Sequence, residues 1–173
     1  MATNKGFTLI ELVIVIVLLG VLGAIAIPKF ADNTENAERA VVLSLASTFK
    51  SSVKIAQLKW LTSNRQRTNL ALSGNNFINM VDFSQFGCPV QHWRINSETD
   101  PSANNATDCM TVFVLLMDRC QSTATDCGNQ PDPDFSHAYL GGGVCEYTYR
   151  NNNAYRIRYE TNTQQCLVST IGF

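Results

Sequence analysis

Residues 7–27 read Phe7-Thr8-Leu9-Ile10-Glu11-Leu12-Val13-Ile14-Val15-Ile16-Val17-Leu18-Leu19-Gly20-Val21-Leu22-Gly23-Ala24-Ile25-Ala26-Ile27, an apolar run interrupted by one carboxylate. As a helix the run reaches about 31 Å, close to the hydrocarbon thickness of a bilayer. An ionised Glu11 inside it costs about 3 kcal/mol by analogy with insertion scales, and ionisable residues in such segments are functional by default. The carboxylate therefore needs a partner.

The residues ahead of the run, Met1 to Gly6, invert the order of a secretory signal, in which basic and apolar regions precede a small-residue cleavage site. Here Lys5 and the small Gly6 come first. Cleavage between Gly6 and Phe7 keeps the hydrophobic helix and creates a new α-amino group on Phe7. That cation lies one helical turn from Glu11 in the same low-dielectric zone. Two opposite charges in an apolar bundle lose less when paired than when either stands alone.

Gly6-Phe7-Thr8-Leu9-Ile10-Glu11 resembles the processing motif of the type IV pilin family, and Pro28, just past the run, matches a proline common in that family. The resemblance implies a leader, residues 1–6, removed by prepilin peptidase, with N-methylation of the new terminus at Phe7. It implies a transmembrane and filament-core helix over 7–28, and a periplasmic or extracellular globular head over 29–173. Glu11 would then neutralise the Phe7 amine of a neighbouring subunit during assembly. The implied partners are other copies in a homo-oligomeric helical filament, prepilin peptidase, the pilus assembly machinery, and the inner membrane before assembly. The implied destination is a bacterial surface fimbrium.

The chain has 173 residues and a formal net charge of −1. That length leaves room for one globular domain beyond the helix, and the near-balance argues against a strongly basic nucleic-acid surface. Arg65 and Arg67 beside Lys59 and Trp60 form a small basic group, as do Arg150, Arg156 and Arg158. Acidic neighbours dilute the second group, which reads as the charged outer face of a sheet, so no nucleic-acid partner is expected.

Helical character continues past Pro28. Asp32 to Trp60 contains no Gly or Pro, and Val41, Leu45, Phe49, Val53, Ala56 and Trp60 recur at helical spacing. Glu35, Glu38, Lys50, Lys54 and Lys59 belong mostly on solvated sides. From Thr8 to Thr62 this predicts one helix of roughly 80 Å, apolar in its first half and amphipathic in its second. Gly20, Gly23 and Pro28 are its weak points: a kink is expected at Pro28, and in the family's fibres the stretch between such a Gly and Pro can lose helicity.

Residues 63–105, rich in Asn, Ser, Gly and Gln with short apolar patches at 77–81 and 83–86, read as a long loop region with room for one short helix or strand. A second helix is predicted over Thr107–Arg119, capped by Thr107 or Asp108. Gln121–Ser136 reads as loop, and Gly141-Gly142-Gly143 as a flexible lead-in. Then Cys145, Tyr147 and Tyr149 alternate with Glu146, Thr148 and Arg150, and Tyr155, Ile157 and Tyr159 with Arg156, Arg158 and Glu160. With Cys166-Leu167-Val168 these predict a three-stranded antiparallel meander whose apolar face packs on the long helix. The fold class is α+β, that of a type IV pilin, with disulfides stapling the head.

Six cysteines behind an export element point to an oxidising compartment and three disulfides. Strand alternation turns Cys145 into the core. In a meander it lies about 9.5 Å from Cys166, beyond the roughly 7 Å Cα limit for a bridge. Cys109, on the second helix, is the better partner for Cys145, and pilins of the mannose-sensitive haemagglutinin type look similar at these two cysteines. Cys120 and Cys127 can close a short loop, leaving Cys88 with Cys166, though many other pairings stay open.

No Cys-x-x-Cys occurs, and His92 and His137 are far apart, which leaves zinc through Cys88 and His92 without a second ligand pair. Asp126, Asp132 and Asp134 offer hard oxygens to calcium, but their spacing fits no recognised loop and they read as solvated turn residues. No nucleophile elbow, zincin motif or phosphate-cradling loop is present, so the chain is read as a non-enzyme without cofactor or metal. The function expected is a structural subunit of a type IV pilus-like surface filament. Resemblance of the second helix, Gln57-Leu58-Lys59-Trp60 and the meander to the mannose-sensitive haemagglutinin type implies adhesion or surface attachment. The competing expectations are a type II secretion pseudopilin, a minor pilin for DNA uptake or adhesion, and an anchored domain that never polymerises.

Overall fold

The computed structural model describes residues 6–68, 70–72, 80–92, 101–119 and 132–173, with backbone alone at 27, 28 and 30–32. It divides into two compact units, Met1–Ala40 and Val41–Phe173. One helix, α1 (Leu9–Thr62, 54 residues), contributes to both. The remaining elements are β1 (Leu70–Ala71), β2 (Met80–Phe83), β3 (Pro89–His92), α2 (Ala106–Leu116), β4 (Phe135–Gly141), β5 (Val144–Tyr149), β6 (Arg156–Glu160) and β7 (Leu167–Ile171). The strands form two antiparallel sheets, one ordered β1-β2-β3 and the other β4-β5-β6-β7. This is the expected α+β architecture.

Within the second unit, α1 buries Val42, Ala46, Phe49, Val53, Ala56 and Trp60. The stripe expected from sequence began instead at Val41 and Leu45; Val41 is exposed and Leu45 only half-buried. Geometry explains the correction. Steps of four residues overshoot a turn, so repeating them from position 41 rotates off the seam, whereas alternating steps of four and three from 42 stay on it.

Phe49 is the hub of the core. Its ring meets Phe113 of α2 at 5.1 Å, Tyr147 of β5 at 5.4 Å and Tyr159 of β6 at 5.5 Å. The two tyrosine hydroxyls donate to backbone carbonyls, Tyr147 to Cys109 at 3.0 Å and Tyr159 to Pro89 at 2.9 Å. Buried phenols satisfied in this way cost little, and their burial pushes both hydroxyl pKa values up.

Several loop expectations are corrected. The region 63–105 contains the three-stranded sheet, whose β2–β3 turn passes beneath Trp60: Gly87 sits at φ +79°, and a Cβ there would enter the indole. The meander has four strands, because Phe135–Gly141, read partly as loop, pairs with β5 from Phe135↔Tyr149 to Gly141↔Val144. Gly141-Gly142-Gly143 is thus a hairpin turn, with all three residues at positive φ, and not a flexible lead-in. Helix α2 is shorter than expected and is capped by Asn105, whose side chain accepts from the Asp108 N–H at 3.0 Å.

Candidate assembly site

The helix start at the apolar run is built by a threonine and a glutamate three residues apart. The Thr8 carbonyl accepts the first helical bond, from Leu12 N–H at 3.3 Å. Glu11 reaches back, and its Oε2 accepts from the Thr8 N–H at 2.8 Å and from the Thr8 hydroxyl at 2.7 Å. The Glu11 N–H donates in turn to Thr8 Oγ1 at 3.4 Å. This is a capping box, which satisfies orphan donors of the first turn. Sequence reasoning singled out Glu11 as a charge in need of a partner and missed this local role, although Thr-x-x-Glu ahead of an apolar run is its signature.

Both of these bonds end on Oε2, which leaves Oε1 of Glu11 to accept from another donor. Phe7, exposed and ahead of the first helical residue, lies immediately before the Thr8 N–H that Glu11 already holds. Gly6 and Phe7 are both exposed and precede the helix, and a Cβ on Gly6 would meet no other atom of the described residues. Sequence and fold together bring Phe7 and Glu11 to one end of the helix.

Behind the cap, Leu9–Ala26 has a mean hydropathy of 3.0, and none of it is buried. Among the described residues this is the single helix long and apolar enough to cross a membrane. Gly20, Gly23 and Pro28 all lie within the helical span of α1. An apolar surface of this size on a monomer marks a membrane or protein interaction site.

The other predicted site residues lie in the second unit. Cys109 is joined to Cys145, with Cα atoms 5.4 Å apart, and Cys88 to Cys166, at 5.3 Å. Cys120, Cys127 and Asp126 lie outside the described residues. Asp132 is not a solvated turn residue as expected. Its buried carboxylate accepts Arg119 at 2.8 and 3.0 Å and the N–H groups of Asp134 and Phe135 at 2.8 and 2.9 Å. Arg119 also meets Asp134 at 3.0 Å, so this pair of carboxylates is spent on an arginine. On the outer face of the second sheet, Glu146 takes Arg156 at 3.4 Å and Arg158 at 2.9 Å across neighbouring strands. Among the described residues no group of three His, Cys, Asp or Glu is placed to hold a metal ion.

Residues 1–27 match the family model described as the prokaryotic N-terminal methylation motif. The chain is 51% identical over 55 residues to the type IV narrow pilus major component PilA5 of Thermus thermophilus, covering 32% of this chain and 47% of that one. It is 44% identical over 64 residues to the type IV major pilin protein PilE1 of Neisseria gonorrhoeae, covering 35% and 39%. A fimbrial protein of Pseudomonas aeruginosa matches at 42% over 59 residues, covering 34% and 38%. Each match thus spans less than half of the relative. No solved structure matches the chain.

Proposed function

We propose, on the premise that this chain belongs to the type IV pilin family, that it is a non-enzymatic structural subunit of a surface filament. The observation that carries the reading is the capped helix with its wholly unburied apolar face. Prepilin peptidase cleaves between Gly6 and Phe7 and the new terminus is methylated. The helix waits in the inner membrane and is drawn into the filament by the assembly machinery.

Glu11 has two duties in this scheme. Through Oε2 it closes the cap of its own helix, and through Oε1 it receives the Phe7 amine of a neighbouring copy, which sets axial register. Loss of helicity between Gly20 and Pro28 lets the apolar helices repack on assembly. The filament's role is surface attachment. Glu11→Val preserves the apolar anchor and is expected to leave the subunit in the membrane while abolishing its incorporation into sheared filaments, scored by electron microscopy and mass spectrometry. Normal filaments from that variant would remove the pairing role. A mature N-terminus other than methylated Phe7 would remove the processing scheme. A filament map with continuous helix from Gly20 to Pro28 would remove the melting step.

A further inference from the structure

The tip of the β4–β5 hairpin presents Leu140, at 51% the most exposed large apolar side chain among the described residues that follow α1. Gly141 and Gly142 follow it, and a Cβ on either would meet only open space, so the leucine stands clear on that side. The tip is nevertheless held fast. Gly143 N–H donates to Tyr139 Oη at 3.2 Å, Thr161 donates to the Gly143 carbonyl through N–H and hydroxyl at 2.9 Å each, and Asn162 Nδ2 donates to the Gly142 carbonyl at 2.9 Å. A braced apolar knob loses little freedom when it is buried.

Elsewhere in the same unit a cavity of about 280 Å³ opens between α1 and the end of α2, walled by Ile55, Ala56, Leu72, Leu115 and Leu116. It is smaller than most small-molecule sites, which run from about 300 to 1,000 Å³, and suits a single side chain. Lys59 and Asp118 also line it. Lys59 spends one donor on the Leu72 carbonyl at 2.8 Å and keeps two. The knob has a matching carboxylate, since Val144 pairs in register with both Gly141 and Glu160 and so brings Glu160 beside the tip.

A knob and a socket at different places on one surface make a heterologous contact, which propagates as an open helix unless its rotation closes a ring. We infer that Leu140 of one copy seats in the α1–α2 cavity of the next, with Glu160 meeting Lys59 at the rim. This deepens the filament reading and rests on it.

The test is disulfide trapping in sheared filaments of the full chain carrying Leu140→Cys together with Ile55→Cys. The expected result is an oxidant-dependent ladder of dimers, trimers and higher species on non-reducing gels, absent from either single variant. Filaments that form normally but give no ladder, dimers alone, or crosslinks to another protein overturn the contact and leave the filament reading intact. A wild-type chain that yields no filaments overturns both. Independently, Leu140→Asp, on an exposed tip, should weaken the subunit contact roughly tenfold or more and lower the sheared yield at equal membrane levels of the chain. Wild-type yield from that variant overturns the inference.

Discussion

His137 shows how one inward side chain ties folding to pH. It occupies an inward position on β4, with Phe113 at 5.8 Å and Tyr147 at 5.6 Å, and its Nε2 has no hydrogen-bond partner among the described residues. Burial holds its pKa down to about 4; Asp132 pulls the other way and Arg150 adds to the depression. The unfolded chain takes up this proton near the ordinary value of 6.5, so between 6.5 and 4 the unfolded state binds more protons than the folded one. Stability from this group is therefore complete above 6.5, declines as pH falls through the window, and levels off once the folded histidine also titrates. His137→Phe keeps a ring in the slot and removes the proton. Thermal unfolding at pH 7 and pH 4.5 should show a smaller drop in midpoint for this variant than for the parent, and equal drops would show that another group sets the slope. The same neighbourhood explains why Asp132 misled the sequence reading. Asp-Pro-Asp has the composition of a solvated turn, and its burial depends on Arg119, which approaches only after the chain folds back.

At the scale of elements, the start of α2 is a reciprocal cap. Asn105 Oδ1 accepts from Asp108 N–H at 3.0 Å, while Asp108 Oδ2 accepts from Asn104 N–H at 3.0 Å and from Asn105 Nδ2 at 2.9 Å. Asn105→Ala removes the cap acceptor, and the expected cost is about 1 kcal/mol, read as a lower midpoint in chemical denaturation. Asn105→Asp restores an acceptor and should recover most of the loss, unless repulsion from Asp108 outweighs it; an alanine variant as stable as the parent would show that water replaces the cap. What was legible in the sequence follows from physical contrast. On β5 and β6, tyrosines and Ile157 alternate with charged residues and threonine, and the structure buries the first set as the alternation requires. Strand β4 has weaker contrast, since Ser136, Ala138 and Leu140 face out while a histidine faces in. The β1-β2-β3 sheet was hidden for a different reason. It buries Asp82, Gln91 and His92, which break an apolar pattern and become tolerable only once the strands pair, through cross-strand bonds such as Gln91 Nε2 to Asp82 at 3.1 Å.

At the scale of the molecule, the second unit is assembled around the four-stranded sheet by two nested crosslinks. Cys109–Cys145 ties α2 to β5 across 36 residues, and Cys88–Cys166 ties the β2–β3 turn to the start of β7 across 78, enclosing the first loop. Nesting changes the arithmetic. With the inner bond closed, the outer one has only about 40 residues of free chain left to restrain, so it gains less than its sequence separation suggests. By loop-closure entropy each bond then contributes about 3–4 kcal/mol in the presence of the other, and neither dominates. The long sequence spacing of Cys88 and Cys166 carries no such information by itself, because the shortcut exists only once the helix-to-strand bond is known. The expected outcome is that replacing either pair with alanines lowers the stability of the detergent-solubilised chain by similar amounts, and that replacing both lowers it by nearly the sum. Urea unfolding of the three variants decides it. If the outer pair cost much more than the inner one, the unfolded chain would not be responding to loop closure, and the bond between the β2–β3 turn and β7 would be acting through native contacts around Ser84, which donates to the Thr161 carbonyl at 3.1 Å in the same corner.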